Sequence, residues 1–228
     1  MPSPATLADA LARYDVTVPA DLVAPLQAYC ASLWEKNTAL NLTRHTDYDQ
    51  FVRRDLVDSI QLANLIEPGE TVLDIGSGGG APGLVVAILR PDVEMTLCES
   101  VGKKAEALSE IVADLRMPVP VIAGRAEDLL EDHGFHVVTA RAVASLTKLL
   151  TWLAPHWESV GRLLLTKGVK WAEERGEARH VGLLKPLNLR KVAEYDIPGD
   201  ERHAVGKSVI LKLWPKGREP SGRSELPP

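Results

Sequence analysis

The apolar positions change period once along the chain. Over residues 5–66 they recur at three- and four-residue steps. Leu7, Leu11 and Tyr14 share one side of a short helix, and Val23, Leu26, Tyr29, Cys30, Leu33 and Trp34 form the inner stripe of a second, the period of amphipathic helices. Asp21, just after Pro19, is placed to cap that second helix. After 41-NLT-43 the spacing predicts a third helix over 48–65, closed by 68-PG-69. Trp34 and Tyr29 read as core of this extension, and Asn41 as a residue that satisfies backbone groups between extension and sheet. From residue 71 the texture becomes short apolar runs alternating with helical segments. TVLDI, MTLCE, VPVIA, HVVTAR and GRLLLTK read as strands; 82–90, 103–116, 146–157 and 171–180 read as helices. NLRKVAEYDI and SVILKLW follow with little between them, which predicts an antiparallel hairpin at a sheet edge. Alternation of this kind implies parallel strands joined by right-handed helical crossovers. The expected plan is α/β: an N-terminal helical extension over 1–67, a Rossmann-like domain with a mostly parallel sheet over 68–214, and a Pro/Gly-rich polar tail over 215–228 that is expected to be disordered.

Composition narrows the class. The chain has 228 residues, 45% hydrophobic and 25% charged, which is ordinary for a globular protein. No apolar run approaches the ~20 residues of a membrane helix, and the first residues lack the basic head and apolar core of a signal peptide. Cys30 and Cys98 are far apart without metal-ligand spacing, so two free thiols in a reducing cytoplasm are expected, with no metal site. The net charge is -5, but unevenly spread: residues 1–124 hold 9 Lys/Arg against 17 Asp/Glu, and residues 125–228 hold 17 against 14. An acidic protein can thus carry a basic face.

The chemistry centres on 71-TVLDIGSGGGAPGLVVAIL-89. A buried strand ends in an acid, turns through Gly76, Ser77, Gly78, Gly79 and Gly80, and opens a helix. Glycines let a ligand approach the main chain, and ligands of open parallel sheets bind beyond the carboxyl ends of the strands. Glu99 ends the next strand about twenty residues on, where an acid holds a ribose hydroxyl pair. A dinucleotide would need its pyrophosphate on the helix terminus. S-adenosylmethionine instead brings an ammonium, which wants an acid beside the turn, and Asp74 is that acid. The pattern favours adenosylmethionine, with Asp74, Gly76, Ser77, Gly78, Gly80 and Glu99 as cofactor residues. A structural turn capped by Asp74, or a dehydrogenase, are the competing readings. After the third strand, 124-GRAEDL-129 places Ala126 and Glu127 to meet an adenine edge, or simply to start a helix with favourable dipole charge.

These motifs, with 37-NTALNLT-43, 54-RDLVDS-59, 102-GKK-104, 141-RAVAS-145, 167-KG-168 and 201-ERH-203 in order, make the chain resemble the bacterial ribosomal RNA small-subunit methyltransferase G family (also called GidB). The resemblance covers roughly residues 30–214. It implies a class I methyltransferase sheet with an N-terminal helical extension, and transfer of methyl from adenosylmethionine to N7 of one guanine in 16S ribosomal RNA. Two positions depart from the family pattern: Asp55 stands where the family usually has His, implying a lost RNA or structural contact, and Ala81 where Phe or Leu is frequent, implying less bulk beside the cofactor.

Guanine N7 carries a lone pair and no proton, so this chemistry requires alignment rather than a general base. Arg141, heading R-A-x-A-S at the end of the fourth strand, is the expected contact to guanine O6; it can equally face the cofactor, pair with an acid inside the domain or position a phosphate. Lys167, after the fifth strand, is the second catalytic candidate. Lys103, Arg125, Lys170 and His203 are expected RNA contacts, against ordinary solvated or structural roles for Lys103 and His203. The partners expected are 16S ribosomal RNA or the small ribosomal subunit, without membrane or metal, for a cytoplasmic monomer. The alternatives are a methyltransferase acting on a small molecule or protein, or a non-catalytic adenosylmethionine-binding protein that docks on RNA.

Overall fold

The computed structural model describes residues 6–200 and 204–218. The extension comprises α1 (Leu7–Arg13), α2 (Ala20–Asn37), the single turn α3 (Tyr48–Gln50) and α4 (Val57–Ala63). Asp21 lies inside the first turn of α2, and Pro19 occupies the cap position without a side-chain hydrogen bond. The helix expected over 48–65 is interrupted, because Phe51–Leu56 between α3 and α4 is π-helical. The wider turn there directs both Asp55 and Asp58 inward, at 2% and 3% exposure. Single π turns of this kind are frequent at functional sites.

The sheet runs β1 (Thr71–Ile75), β2 (Glu94–Glu99), β3 (Val121–Ala123), β4 (Phe135–Arg141), β5 (Val160–Gly168), β6 (Leu187–Ile197) and β7 (Gly206–Pro215). Its spatial order is β3-β2-β1-β4-β5-β7-β6. The first five strands are parallel. β7 is antiparallel to both β5 and β6, so the hairpin expected at an edge is present and its second strand is inserted inward. The connecting helices are α5 (Gly83–Leu89), α6 (Gly102–Asp114), α7 (Ala126–Asp132), α8 (Leu146–Leu153) and α9 (Trp171–His180). The strand order reverses between β1 and β4, the crevice where open α/β sheets bind ligands.

Both faces of the sheet are covered, which explains the unbroken apolar runs in its central strands. On one face the extension joins α5 and α6: Leu7, Leu26, Tyr29 and Leu33 share a core with Leu84, Val86, Leu108 and Val72. On the other, Leu130, Leu149, Leu150 and Ala178 pack on Leu73, Val138 and Leu165. The lower end is fastened by a bidentate pair. Arg162 of β5 donates to both Glu70 oxygens at 2.6 Å and to the Leu65 carbonyl at 2.9 Å. Burial alone would raise the Glu70 carboxyl, yet the Arg162 guanidinium holds it below the ordinary value.

Candidate active site

β1 delivers Asp74 to the crevice, opposite Thr139 of β4 in register. Asp74 is fully buried. Its Oδ1 accepts the Thr139 hydroxyl at 2.7 Å, while Oδ2 meets no hydrogen-bond donor and lies against Gly83, where a Cβ would come within 2.6 Å of it. Burial raises this carboxyl to about 6, against the opposing influence of the Thr139 hydrogen bond. The expected grip on a cationic tail is therefore not an exposed contact, because Asp74 sits beneath the turn. A charge at this depth is felt through the loop in a low-dielectric setting.

The glycine run serves the protein as much as any ligand. At Gly79 a Cβ would strike Leu33 of α2 at 2.7 Å, and the Leu42 backbone and side chain stand at 3.4 Å. The Tyr29 hydroxyl donates to the Gly79 carbonyl at 3.0 Å. At Gly78, by contrast, φ is +54 and a Cβ would meet only the Gly76 carbonyl, at 3.9 Å, so this residue faces open space. The extension thus walls the loop from behind and leaves its front free. Ser77 points inward, its hydroxyl donating to the Asp74 carbonyl at 2.9 Å.

Glu99, at the end of β2, bridges two loops: Oε2 accepts from the Gly78 N–H at 3.0 Å and Oε1 from the Val101 N–H at 2.8 Å. Next to it a narrow cleft of about 80 Å³ is lined by Gly76, Cys98, Ser100, Ala126, Glu127 and Val143, with Trp152 and Arg125 at its sides. Ala126 and Glu127 are thereby brought into one wall with Gly76. Arg125, expected on RNA, instead stands at this cleft and pairs with Glu127. Burial and the adjacent Glu99 push the Cys98 thiol up to about 11.

Arg141 departs most from expectation. Its guanidinium donates to Asp55, to Asp58 Oδ2 at 3.1 Å and to the Ala81 carbonyl at 3.3 Å. Asp58 also accepts the Tyr195 hydroxyl at 2.8 Å, and His45 Nδ1 lies 2.8 Å from Asp55 Oδ2. Burial on its own would lower the Arg141 charge affinity, but the two carboxylates raise it. The same guanidinium, with His45, holds Asp55 below its ordinary value against burial. A cation this well matched is a tie between the π-helical segment, the glycine loop and β4. Asp55 therefore makes structural contacts of its own instead of merely losing the family's His. Lys167 is likewise occupied, since Nζ donates to the Ala144 carbonyl and to Glu174 Oε2, each at 2.8 Å, fastening the loop after β4 to α9. A half-buried ammonium beside a carboxylate settles on it, and Lys167 is not aimed at the crevice. Lys103 and Lys170 are exposed. His203 lies outside the described residues.

Sequence reasoning missed Thr139, Asp58, Tyr195, Val143 and Trp152. Thr139 was in principle legible as the strand partner of Asp74; Tyr195, 137 positions from Asp58, carries no local signal. Ala142, between Arg141 and Val143, has φ +56, a conformation a non-glycine residue rarely adopts and that clusters at functional sites.

The residues present fit adenosylmethionine: a buried carboxylate with an unpartnered oxygen under the loop, an open glycine face, an acid ending β2 and a cleft beside it. Fold and site together define a class I adenosylmethionine-dependent methyltransferase. Residues 23–203 match the family model for rRNA small subunit methyltransferase G. The chain is 50% identical over 222 residues to the ribosomal RNA small subunit methyltransferase G of Rhodopirellula baltica, covering 92% of this chain and 96% of that protein. It is 40% identical over 225 residues to that of Sorangium cellulosum, covering 95% and 90%. Among solved structures, precorrin-6y C5,15-methyltransferase from Geobacter metallireducens superposes with a TM-score of 0.55 at 13% identity, over 78% of this chain and 92% of that one. TrmK from M. capricolum, solved with S-adenosyl-homocysteine, gives 0.53 at 13% identity, over 70% and 68%. Both are likenesses of fold. The chain belongs to the ribosomal RNA small subunit methyltransferase G family.

Proposed function

We propose that this protein transfers the methyl group of S-adenosylmethionine to N7 of a guanine in 16S ribosomal RNA. The observation that carries the reading is the glycine loop itself, open at Gly78 and backed by the buried Asp74, whose Oδ2 lacks a donor, in a chain of this family. When bound, the cofactor supplies a methyl group already activated by its sulfonium. The chain's own residues then have three tasks. Asp74 and Glu99 hold negative charge where a cationic tail and a ribose are received. Gly78 keeps the loop bare. Arg141, Asp55 and Asp58 fix the loop, β4 and the π-helical segment in one arrangement, which serves a reaction governed by alignment. In this reading Arg141 is a positioning residue and not the grip on guanine O6.

No side chain needs to remove a proton from N7, and Arg141 and Lys167 are both committed to carboxylates. The exposed rim residues Lys103 and Lys170 remain available for phosphate. Incubation of the protein with methyl-labelled cofactor and 16S ribosomal RNA or small subunits, followed by nucleoside analysis, tests this directly. Label in 7-methylguanosine is expected; label in another nucleoside, or none in RNA, overturns the reading.

A further inference from the structure

A second concave surface lies at the end of the sheet opposite the glycine loop. It is a cleft of about 330 Å³. Its walls are cationic: Arg175 and Arg179 from α9, Lys185 from the following turn and Lys216 just beyond β7, over a floor that includes Leu187 and Leu189. The walls are held by backbone. The Lys216 N–H donates to the Pro186 carbonyl at 2.8 Å, the Lys185 N–H to Gly182 at 3.0 Å and the Leu187 N–H to Leu184 at 3.3 Å.

Among the described residues, none of the four cations is in ion-pair contact with a carboxylate. The acids nearby are engaged elsewhere, Glu174 with Lys167 and Glu158 with Arg218, and the exposed Glu173 and Glu177 of α9 pair with none of the four. In a chain of net charge -5, four cations around one hollow create a local positive potential that favours an external anion.

We propose that this cleft is a second RNA-binding site, which takes backbone phosphodiesters remote from the methyl-transfer edge. β5 spans nine residues between the two ends of the sheet, roughly 25–30 Å at about 3.3 Å per residue. α9 follows β5 and returns toward the opposite end, and its Arg175 and Arg179 are four positions apart on one flank, as neighbours on a helix surface are. The exposed Lys170 precedes the helix at its crevice end, and Arg175 and Arg179 carry the positive charge along α9 to the cleft. The aromatic ring of α9, Trp171, is already covered by the Arg175 guanidinium at 5.2 Å. That ring is not free to stack a base, and the contact reads charge without sequence. The inference rests on RNA being the substrate.

The test uses Arg179→Glu and Lys185→Glu, singly and together, beside Arg116→Glu, a reversal of equal charge at an exposed position just beyond α6 on the other flank. Binding to transcribed 16S ribosomal RNA is measured across a salt series, with adenosylmethionine affinity and steady-state methyl transfer alongside. The double variant is expected to bind RNA at least about tenfold more weakly, with a salt slope shallower by about one for each phosphate no longer neutralised. KM for RNA rises while kcat and cofactor affinity stay at wild-type values. Unchanged RNA affinity and slope, or an equal loss in Arg116→Glu, overturns the proposal. Should wild-type protein form no 7-methylguanosine while RNA binding still depends on residues 179 and 185, the catalytic reading falls and the second site stands.

Discussion

Arg141 and Asp55, 86 positions apart, meet as an ion pair in which the carboxylate is 3% and the guanidinium 17% exposed. The pair joins the end of β4 to a π-helical turn of the extension, and Asp58 completes it from the next turn. Removing the cation leaves two buried acids with only His45 and the Tyr195 hydroxyl as partners. Arg141→Ala is expected to destabilise the fold by about 3–5 kcal/mol and to weaken cofactor binding along with methyl transfer. Arg141→Lys should retain part of both. Thermal melts with calorimetric cofactor titration decide: an Arg141→Ala protein of normal stability and cofactor affinity that fails only with RNA would return Arg141 to the guanine.

The Tyr29 hydroxyl supports the glycine loop from behind. Tyr29→Phe keeps the ring packing against Phe51, at 5.9 Å between centroids, and strips the Gly79 carbonyl of its donor, a loss of about 1–3 kcal/mol for a buried acceptor. Because that carbonyl belongs to the cofactor loop, adenosylmethionine affinity is expected to fall severalfold. A lower melting temperature with unchanged affinity would reduce Tyr29 to a packing residue.

Asp74 is expected to make the cofactor step pH-dependent. With its carboxyl raised to about 6 from an ordinary 3.8, the ligand-free fold binds more protons than the unfolded chain in that window. Its contribution therefore favours folding at low pH and is lost as pH rises from about 4 through 6. A cationic tail arriving above the loop favours the ionised form. Calorimetry near pH 6 in buffers of different ionisation heat should show proton release on adenosylmethionine binding, with affinity falling below that pH. In Asp74→Asn the release disappears, ligand-free stability above pH 6 rises, and affinity drops by about tenfold or more per pKa unit of coupling removed. Binding without proton release at pH 6 would exclude Asp74 from the interaction.

The class of cofactor is checked by thermal shift. Adenosylmethionine is expected to raise the melting temperature as mass action requires, and NAD to leave it unchanged, because the buried carboxylate repels a pyrophosphate. Equal shifts from both would contradict the reading of the loop.

Arg162 and Glu70 provide the control at the far end of the sheet. Arg162→Met leaves Glu70 buried without its bidentate partner and should cost about 3–5 kcal/mol, while methyl transfer per folded molecule is preserved. Urea unfolding beside single-turnover rates separates the two effects.

The sheet was legible because its strands are apolar runs with both faces covered, and the loop because four glycines between strand and helix have few other uses. Local spacing brought Ala126 and Glu127 into one cleft wall with Gly76, and placed Glu99 against the Gly78 N–H. It could not show the partners of Arg141 and Lys167, because Asp55, Asp58 and Glu174 are set by tertiary approach. Periodicity also failed at Phe51–Leu56, where one widened turn keeps the helical pattern while rotating everything after it. Tyr195 entered the site only through its approach to Asp58 of the extension, which no window of neighbouring residues displays.

Leu33 and Leu42 stand where a side chain at position 79 would be. Two stretches far apart in the gene therefore answer to one steric fit. A chimaera that grafts a relative's first forty residues onto this sheet inherits a wall shaped for another loop, and would need its glycine turn exchanged in the same cut.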